Sequence, residues 1–240
     1  MSEVNIAHPH EYDHHHADVS SGWLRATVFG AMDGLVSNVG LIAGIAAAGA
    51  TPGIVAITGV SGLIAGAVSM ALGEFTSVRT ANEQLDAEVR TEQDAHQRNP
   101  RGEEAELALM FERLGMLEDT AQTAASQVHA NGDHAVRVHL SHELGMSADD
   151  RPSPWVAAVS SLLSFSVGAL IPILPFIFGF GTLGWGLAFG GVGLLLAGGL
   201  AARTTRRNWV AGAFRQLVFG GIAVTATYTI GKLLGVSGVA

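Results

Sequence analysis

Residues 24–78 read LRATVFGAMDGLVSNVGLIAGIAAAGATPGIVAITGVSGLIAGAVSMALGEFTSV. A spanning helix needs roughly 20 mostly apolar residues, and two such runs flank the turn GATPG at 49–53, where Gly and Pro act as breakers. Each run carries an acid, Asp33 in the first and Glu74 in the second. A carboxylate inside a span costs at least ~2.5 kcal/mol and normally faces a partner or a polar pathway. The pair predicts an integral membrane protein that moves cations.

Outward from this stretch, three more segments reach spanning length: 155–180, 183–202 and 209–234. The tight turn GFGTLG at 179–184 separates the first two of them. The chain is 48% hydrophobic with mean hydropathy +0.35, too apolar for an ordinary soluble domain. Its Lys and Arg residues set an orientation. Arg79, Arg90, Arg98, Arg101, Arg113, Arg137 and Arg151 lie in the polar block between spans two and three. Arg203, Arg206 and Arg207 link spans four and five, and Arg25 opens span one. The N-terminus and the polar block are therefore expected in the cytosol and the C-terminus on the far side; Arg215 and Lys232 fall outside the pattern.

The expected organisation is all-α: a disordered His-rich cytosolic tail (1–22), transmembrane helices 1–2 (23–78), a cytosolic helical metal-binding domain (79–152) and transmembrane helices 3–5 (153–240). The first 22 residues do not have the basic and then apolar layout of a secretory signal. With no cysteine, disulfides and thiolate metal sites are excluded. Residues 79–151 hold 15 Asp and Glu against 7 Lys and Arg, a balance that argues against binding nucleic acid.

Within span one, Asp33 lies about nine residues past the cytosolic end, ~13 Å deep at 1.5 Å per residue. Ser37 follows at i+4, with Asn38 beside it. Gly30, Gly34, Gly40 and Gly44 include GxxxG spacings, which permit close helix approach. In span two, Glu74 lies one turn inside the cytosolic end and Met70 one turn deeper on the same face. The plainer alternatives are a local cap or an Arg215 pairing for Asp33, simple packing for Met70 and snorkelling for Glu74. Pro172 and Pro175 are expected to kink span three and free backbone carbonyls.

Good helix formers carry span two on to about Gln97, and Asn99–Pro100 ends it. Glu88, Glu92 and His96 share one face at i, i+4 and i+8. A second helix from near Gly102 places Glu103, Glu106 and Met110 at i, i+3 and i+7. After a third around 118–130, NGDHAVRVHLSHELGM places His139, His142 and Glu143 at i, i+3 and i+4. Any one of these sets is an ordinary solvated helix face. Three of them together, attached to spans with buried acids, predict a site for Fe²⁺, Mn²⁺ or Zn²⁺, while the oxygen-rich donors disfavour Cu⁺. The N-terminal HPHEYDHHH either collects metal or is an inert tail.

These residues resemble the vacuolar iron transporter family, which includes yeast vacuolar iron transporters and plant nodulin-like proteins. The likeness runs from about Trp23 to the C-terminus. It is carried by DGLVSNVGLIAG, AGAVSMALGEFTSVRTANE, PRGEEAELALMFERLGM, HLSHELGM and the order of the last three apolar segments. The resemblance implies a five-helix protomer that dimerises along its pathway and exports Fe²⁺, often Mn²⁺, by proton antiport. The glycine-rich first span adds some support for the dimer. The family's pathway aspartate and methionine correspond to Asp33 and Met70, and its cytosolic glutamates to Glu92, Glu103, Glu106 and Glu143. The chain departs from the pattern at Ala95, where a second acid is expected and Glu88 or His96 would have to substitute. It departs again at His139 and Leu140, where some members have Met and Glu. More imidazole would shift preference toward Zn²⁺ or steepen the pH dependence of loading.

The expectation is a non-enzymatic transporter with no permanently bound cofactor. It carries Fe²⁺ or Mn²⁺, with Zn²⁺ and Co²⁺ as further candidates, and works with protons, the lipid bilayer and a second copy of itself. Its length and the lack of a targeting segment fit a bacterial cell membrane; in a eukaryote a vacuolar membrane is the alternative. One rival is a membrane-anchored metal sensor without flux. A metallohydrolase would need a motif such as HExxH in or beside the spans, and none lies there.

Overall fold

The computed structural model describes residues 23–143, 151–205 and 207–236. The His-rich tail, Arg206 and the end of the HLSHELGM stretch lie outside these residues. The described residues form eight helices and no strand: α1 (Trp23–Ala47), α2 (Pro52–Arg98), α3 (Pro100–Arg113), α4 (Glu118–His129), α5 (Gly132–Glu143), α6 (Pro154–Ile177), α7 (Leu183–Thr204) and α8 (Trp209–Val236). Five of them, α1, α2, α6, α7 and α8, are long and apolar enough to cross a membrane.

The turn between α1 and α2 follows from its sequence. Gly49 has φ +97°, a left-handed conformation that glycine adopts without a Cβ penalty. Thr51 then caps α2 by accepting a hydrogen bond from the Ile54 amide at 3.5 Å, and Pro52 fits a first turn whose N–H has no helical partner. At its other end α2 does not stop at the membrane. Its 47 residues span roughly 70 Å at 1.5 Å per residue, more than twice a ~30 Å hydrocarbon core. Asn99 ends it and caps α3, its side chain accepting from the Gly102 amide at 3.2 Å.

Helices α1 and α6 lie at the centre of the bundle, and α1 also packs against α2, α7 and α8. The α1–α6 contact is backbone on backbone. A Cβ on Gly34 would collide with the Phe165 carbonyl, and one on Gly168 with the Ala31 carbonyl. Gly40 and Gly44 face Thr227 of α8 instead. The glycine spacing of the first span therefore serves contacts within the chain and gives no support to a dimer. GxxxG marks a close approach without saying whose helix approaches. Helix α6 continues through Pro172 and Pro175, both buried. The outer helices are α8 and the membrane part of α2, whose Ile57, Ile64 and Leu72 are exposed.

The polar block folds as helices α3, α4 and α5 against the extension of α2. Its small core is built on Leu107, Ala108, Phe111, Ala121 and Ala125. Two contacts fix this extension to the segment before α6: Asn82 Nδ2 donates to the Pro152 carbonyl at 3.0 Å, and Arg151 pairs with Asp86 at 2.8 Å.

Candidate ion pathway and metal centre

An open cleft of about 410 Å³ lies between α1, α2 and α6, lined among others by Asp33, Ser37, Ser69, Met70, Glu74 and Phe165. The sequence places these donors on two helices, and the α1–α2 turn brings the helices side by side. Ser37 Oγ donates to Asp33 Oδ1 at 3.0 Å, so the i+4 neighbour orients the carboxylate. Gly62, Gly66 and Gly73 also line the cleft; Gly62 and Gly66 admit the Leu41 and Phe165 side chains against α2, and only Gly73 faces open space. Among the described residues no ion pair joins Asp33 to Arg215, which removes the local pairing considered for that acid. Behind the cleft, buried Asn38 donates from Nδ2 to the Gly59 carbonyl of α2 at 3.2 Å and to the Ala169 carbonyl of α6 at 2.7 Å. This one amide joins three helices, so the asparagine beside Ser37 is an interhelical tie.

A second donor cluster lies outside the spans, where four helices converge. Glu92 and His96 come from the end of α2, Glu103 from the first turn of α3, His129 from the last turn of α4 and His139 from the middle of α5. Two three-residue sets offer ligand atoms within 4.8 Å of one another: His96 with His129 and His139, and Glu92 with His96 and Glu103. The His139 side chain is fully buried. Its Nδ1 lies 3.2 Å from Glu92 Oε1 and 4.0 Å from Glu103 Oε2, without hydrogen-bond alignment. Burial, and then the neighbouring imidazoles of His96, His129 and His142, push its pKa down from 6.5 to about 4. The ring is neutral at physiological pH, the form that binds metal.

The residues singled out from sequence thus separate. Asp33, Met70 and Glu74 meet in the cleft. Glu92, His96, Glu103 and His139 meet in the polar cluster. Glu88 and Glu106 belong to neither set, and Glu106 is exposed. Met110 packs against the domain core. His142 is exposed, with its ring edge against Phe111 at 5.9 Å. Glu143 closes α5, and its side chain lies outside the described residues. Sequence reasoning missed His129. It is the one histidine on α4, with no metal-binding side chain at i−3 or i−4 on that helix to mark it, and only the packing of α4 against α5 brings it to the others.

A helical protein of several membrane spans, with acids in an open cleft between the spans and a donor-rich helical domain beyond them, is the class that this architecture defines. The chain belongs to the VIT family, whose model matches residues 24–232. It is 33% identical over 225 residues to a vacuolar iron transporter of Acanthamoeba castellanii, covering 89% of this chain and 79% of that one. It is also 33% identical to vacuolar iron transporter homolog 1 of Oryza sativa subsp. japonica, over 90% of this chain and 76% of the relative. Vacuolar iron transporter homolog 3 of Arabidopsis thaliana is again 33% identical, over 89% and 84% of the two chains.

Proposed function

We propose that this protein carries divalent iron out of the cytosol through the cleft that holds Asp33, Met70 and Glu74. The observation that carries this reading is the cleft itself: two carboxylates and a thioether line one open space between spans, in a chain whose relatives are named iron transporters. Asp33 is the acid the ion reaches within the spans, with Ser37 orienting it. Glu74 and Met70, one turn apart on α2, form the entrance. Carboxylates neutralise a dication, and the thioether adds a softer ligand that suits Fe²⁺ better than Mg²⁺ or Ca²⁺. Mn²⁺ shares enough of this chemistry to travel the same way.

The Arg distribution supports a cytosolic polar domain (79–152), a cytosolic N-terminus and a C-terminus on the far side. The protein works without enzymatic chemistry or a permanent cofactor, as a homodimer in the cell membrane. Glu92, His96, Glu103 and His139 bind metal on the cytosolic side, with Glu88, Glu106, Met110, His142 and Glu143 as outlying donors. Proton antiport assigns Asp33 a second task, because a carboxylate that releases the ion to the far side accepts a proton in its place.

The test uses proteoliposomes with a trapped iron-sensitive dye and a pH dye. Fe²⁺ entry coupled to opposite proton movement is the expected result. Fe²⁺ entry without proton movement would remove the antiport step. No Fe²⁺ or Mn²⁺ entry under any proton gradient, from folded protein, would remove the transport reading and favour a metal sensor.

A further inference from the structure

The imidazoles at the meeting of α2, α4 and α5 have a geometry that metal loading by scattered carboxylates does not require. His96 and His129 are stacked, with ring centroids 4.9 Å apart and planes 9° from parallel. His139 stands edge-on to both, at 4.8 and 5.3 Å. The Nδ1 of His96 lies 3.2 Å from the Glu92 carbonyl, and the Nδ1 of His129 lies 3.1 Å from the Ala125 carbonyl. A carbonyl oxygen only accepts, so each Nδ1 carries the proton and each Nε2 carries the lone pair. Both Nε2 atoms are buried without a hydrogen-bond partner, and so are both ring nitrogens of His139. Leaving a polar atom buried and unpartnered costs about 1–3 kcal/mol, and a Phe or Leu would fill the same space without that cost. Anchoring one ring nitrogen on a carbonyl while the other points inward is the usual arrangement of a metal-binding histidine.

We infer that His96, His129 and His139 form a three-imidazole site for a zinc-class divalent ion, with the Glu92 carboxylate as fourth ligand. Three neutral imidazoles and one carboxylate make the four-coordinate set that Zn²⁺ favours. With bonds of ~2.0–2.1 Å the donors of such a site stand roughly 3.3 Å apart. The three imidazole donors, already within 4.8 Å of one another, reach that spacing by small side-chain rotations, and Glu92 Oε1 lies beside them, 3.2 Å from His139 Nδ1. The order of stability for nitrogen donors also places Zn²⁺ and Co²⁺ above Fe²⁺ and Mn²⁺. The site therefore holds its ion more tightly than it holds the transported one, and the bound ion ties α2, α4 and α5 together. The inference rests on the transport reading only in treating the polar domain as metal-facing. Equilibrium binding without flux would leave this site standing and sink the other reading.

The test is a metal titration of the full-length chain in detergent. The background carries His8, His10, His14, His15 and His16 replaced by asparagine, so that the tail histidines do not contribute. Co²⁺ is added to metal-stripped protein and then displaced by Zn²⁺. One equivalent is expected, with the intense visible bands of four-coordinate Co²⁺. His129→Phe keeps a ring stacked on His96 but removes Nε2. Losing even an outer partner of a ligand costs roughly 10–100-fold in affinity, so this variant is expected to lose on the order of a hundredfold or more. His129→Cys supplies a thiolate instead, and is expected to retain binding and to add a sulfur-to-cobalt charge-transfer band. No binding, a weak six-coordinate spectrum, or unchanged affinity in His129→Phe would overturn the site. Should His129→Phe fail to fold, X-ray absorption of the zinc-loaded background decides the matter: three imidazoles support the site, and one or none overturns it.

Discussion

The cleft between the spans and the histidine cluster beyond them are built on the same helix and offer an ion opposite surroundings. Glu74 and Glu92 are 18 residues apart on α2, five turns of an ideal helix, so they share one side at a separation of roughly 27 Å. Buried Leu85 lies between them. The cleft is open, offers oxygen and thioether donors, and leaves Asp33 only partly covered. The cluster is closed, offers nitrogen, and buries His139 completely. An ion that must leave again needs accessible, weakly held contacts, whereas one that stays needs donors already desolvated and aimed. The difference in ligand chemistry therefore reads as a difference in residence time.

The comparison breaks first at Asp33. Asp33→Ala removes the deepest acid of the cleft and is expected to lower metal flux by at least about a hundredfold while zinc binding by the polar domain is unchanged; loss of both together would mean that the two regions are one site. A steric prediction follows. Gly34→Val drives a side chain into the Phe165 carbonyl, and overpacking of this kind costs typically about 1–3 kcal/mol or more. Thermal denaturation in detergent should show the loss, and an unchanged midpoint would refute the backbone contact between α1 and α6.

The polar domain alone should respond to acid. His139 binds a proton near 6.5 when unfolded but only near 4 when folded. The neutral ring's contribution is whole above pH 6.5 and is lost as pH falls toward 4, in total about 3 kcal/mol. Hydrogen exchange of α5 amides in metal-free protein should quicken across that interval, and His139→Leu should flatten the response. Amides of α7, which carries no acid or histidine, serve as the internal control. Smaller again is Asn38→Ala, where two interhelical hydrogen bonds are lost and the cost should be about 1–2 kcal/mol, read from the same thermal denaturation. Ser37→Ala removes one hydrogen bond to Asp33 and is expected to change flux only about twofold. A hundredfold effect there would make the hydroxyl itself a ligand.

Much of this was legible because membrane spans are written in length and composition. The five spans, the 49–53 turn and the Asn99–Pro100 break all sit within a few residues of where the apolar runs and breakers place them. Asp33 and Glu74 were legible for the same reason, since a charged group in an apolar run stands out by cost, whereas Met70 was marked only by the family resemblance. The polar cluster was legible only where its donors repeat along one helix, as with Glu92 and His96. His129 has no such neighbour, and its position depends on how α4 packs against α5. The glycines misled for a related reason. Spacing shows that a helix comes close, and only the packed bundle shows that Gly34 meets α6 and Gly44 meets α8.

The most direct test of the central claim is Fe²⁺ uptake by proteoliposomes containing equal amounts of folded wild-type protein or Asp33→Ala. The account predicts uptake by the wild type and none above empty vesicles for the variant. Uptake at the wild-type rate in Asp33→Ala would contradict it.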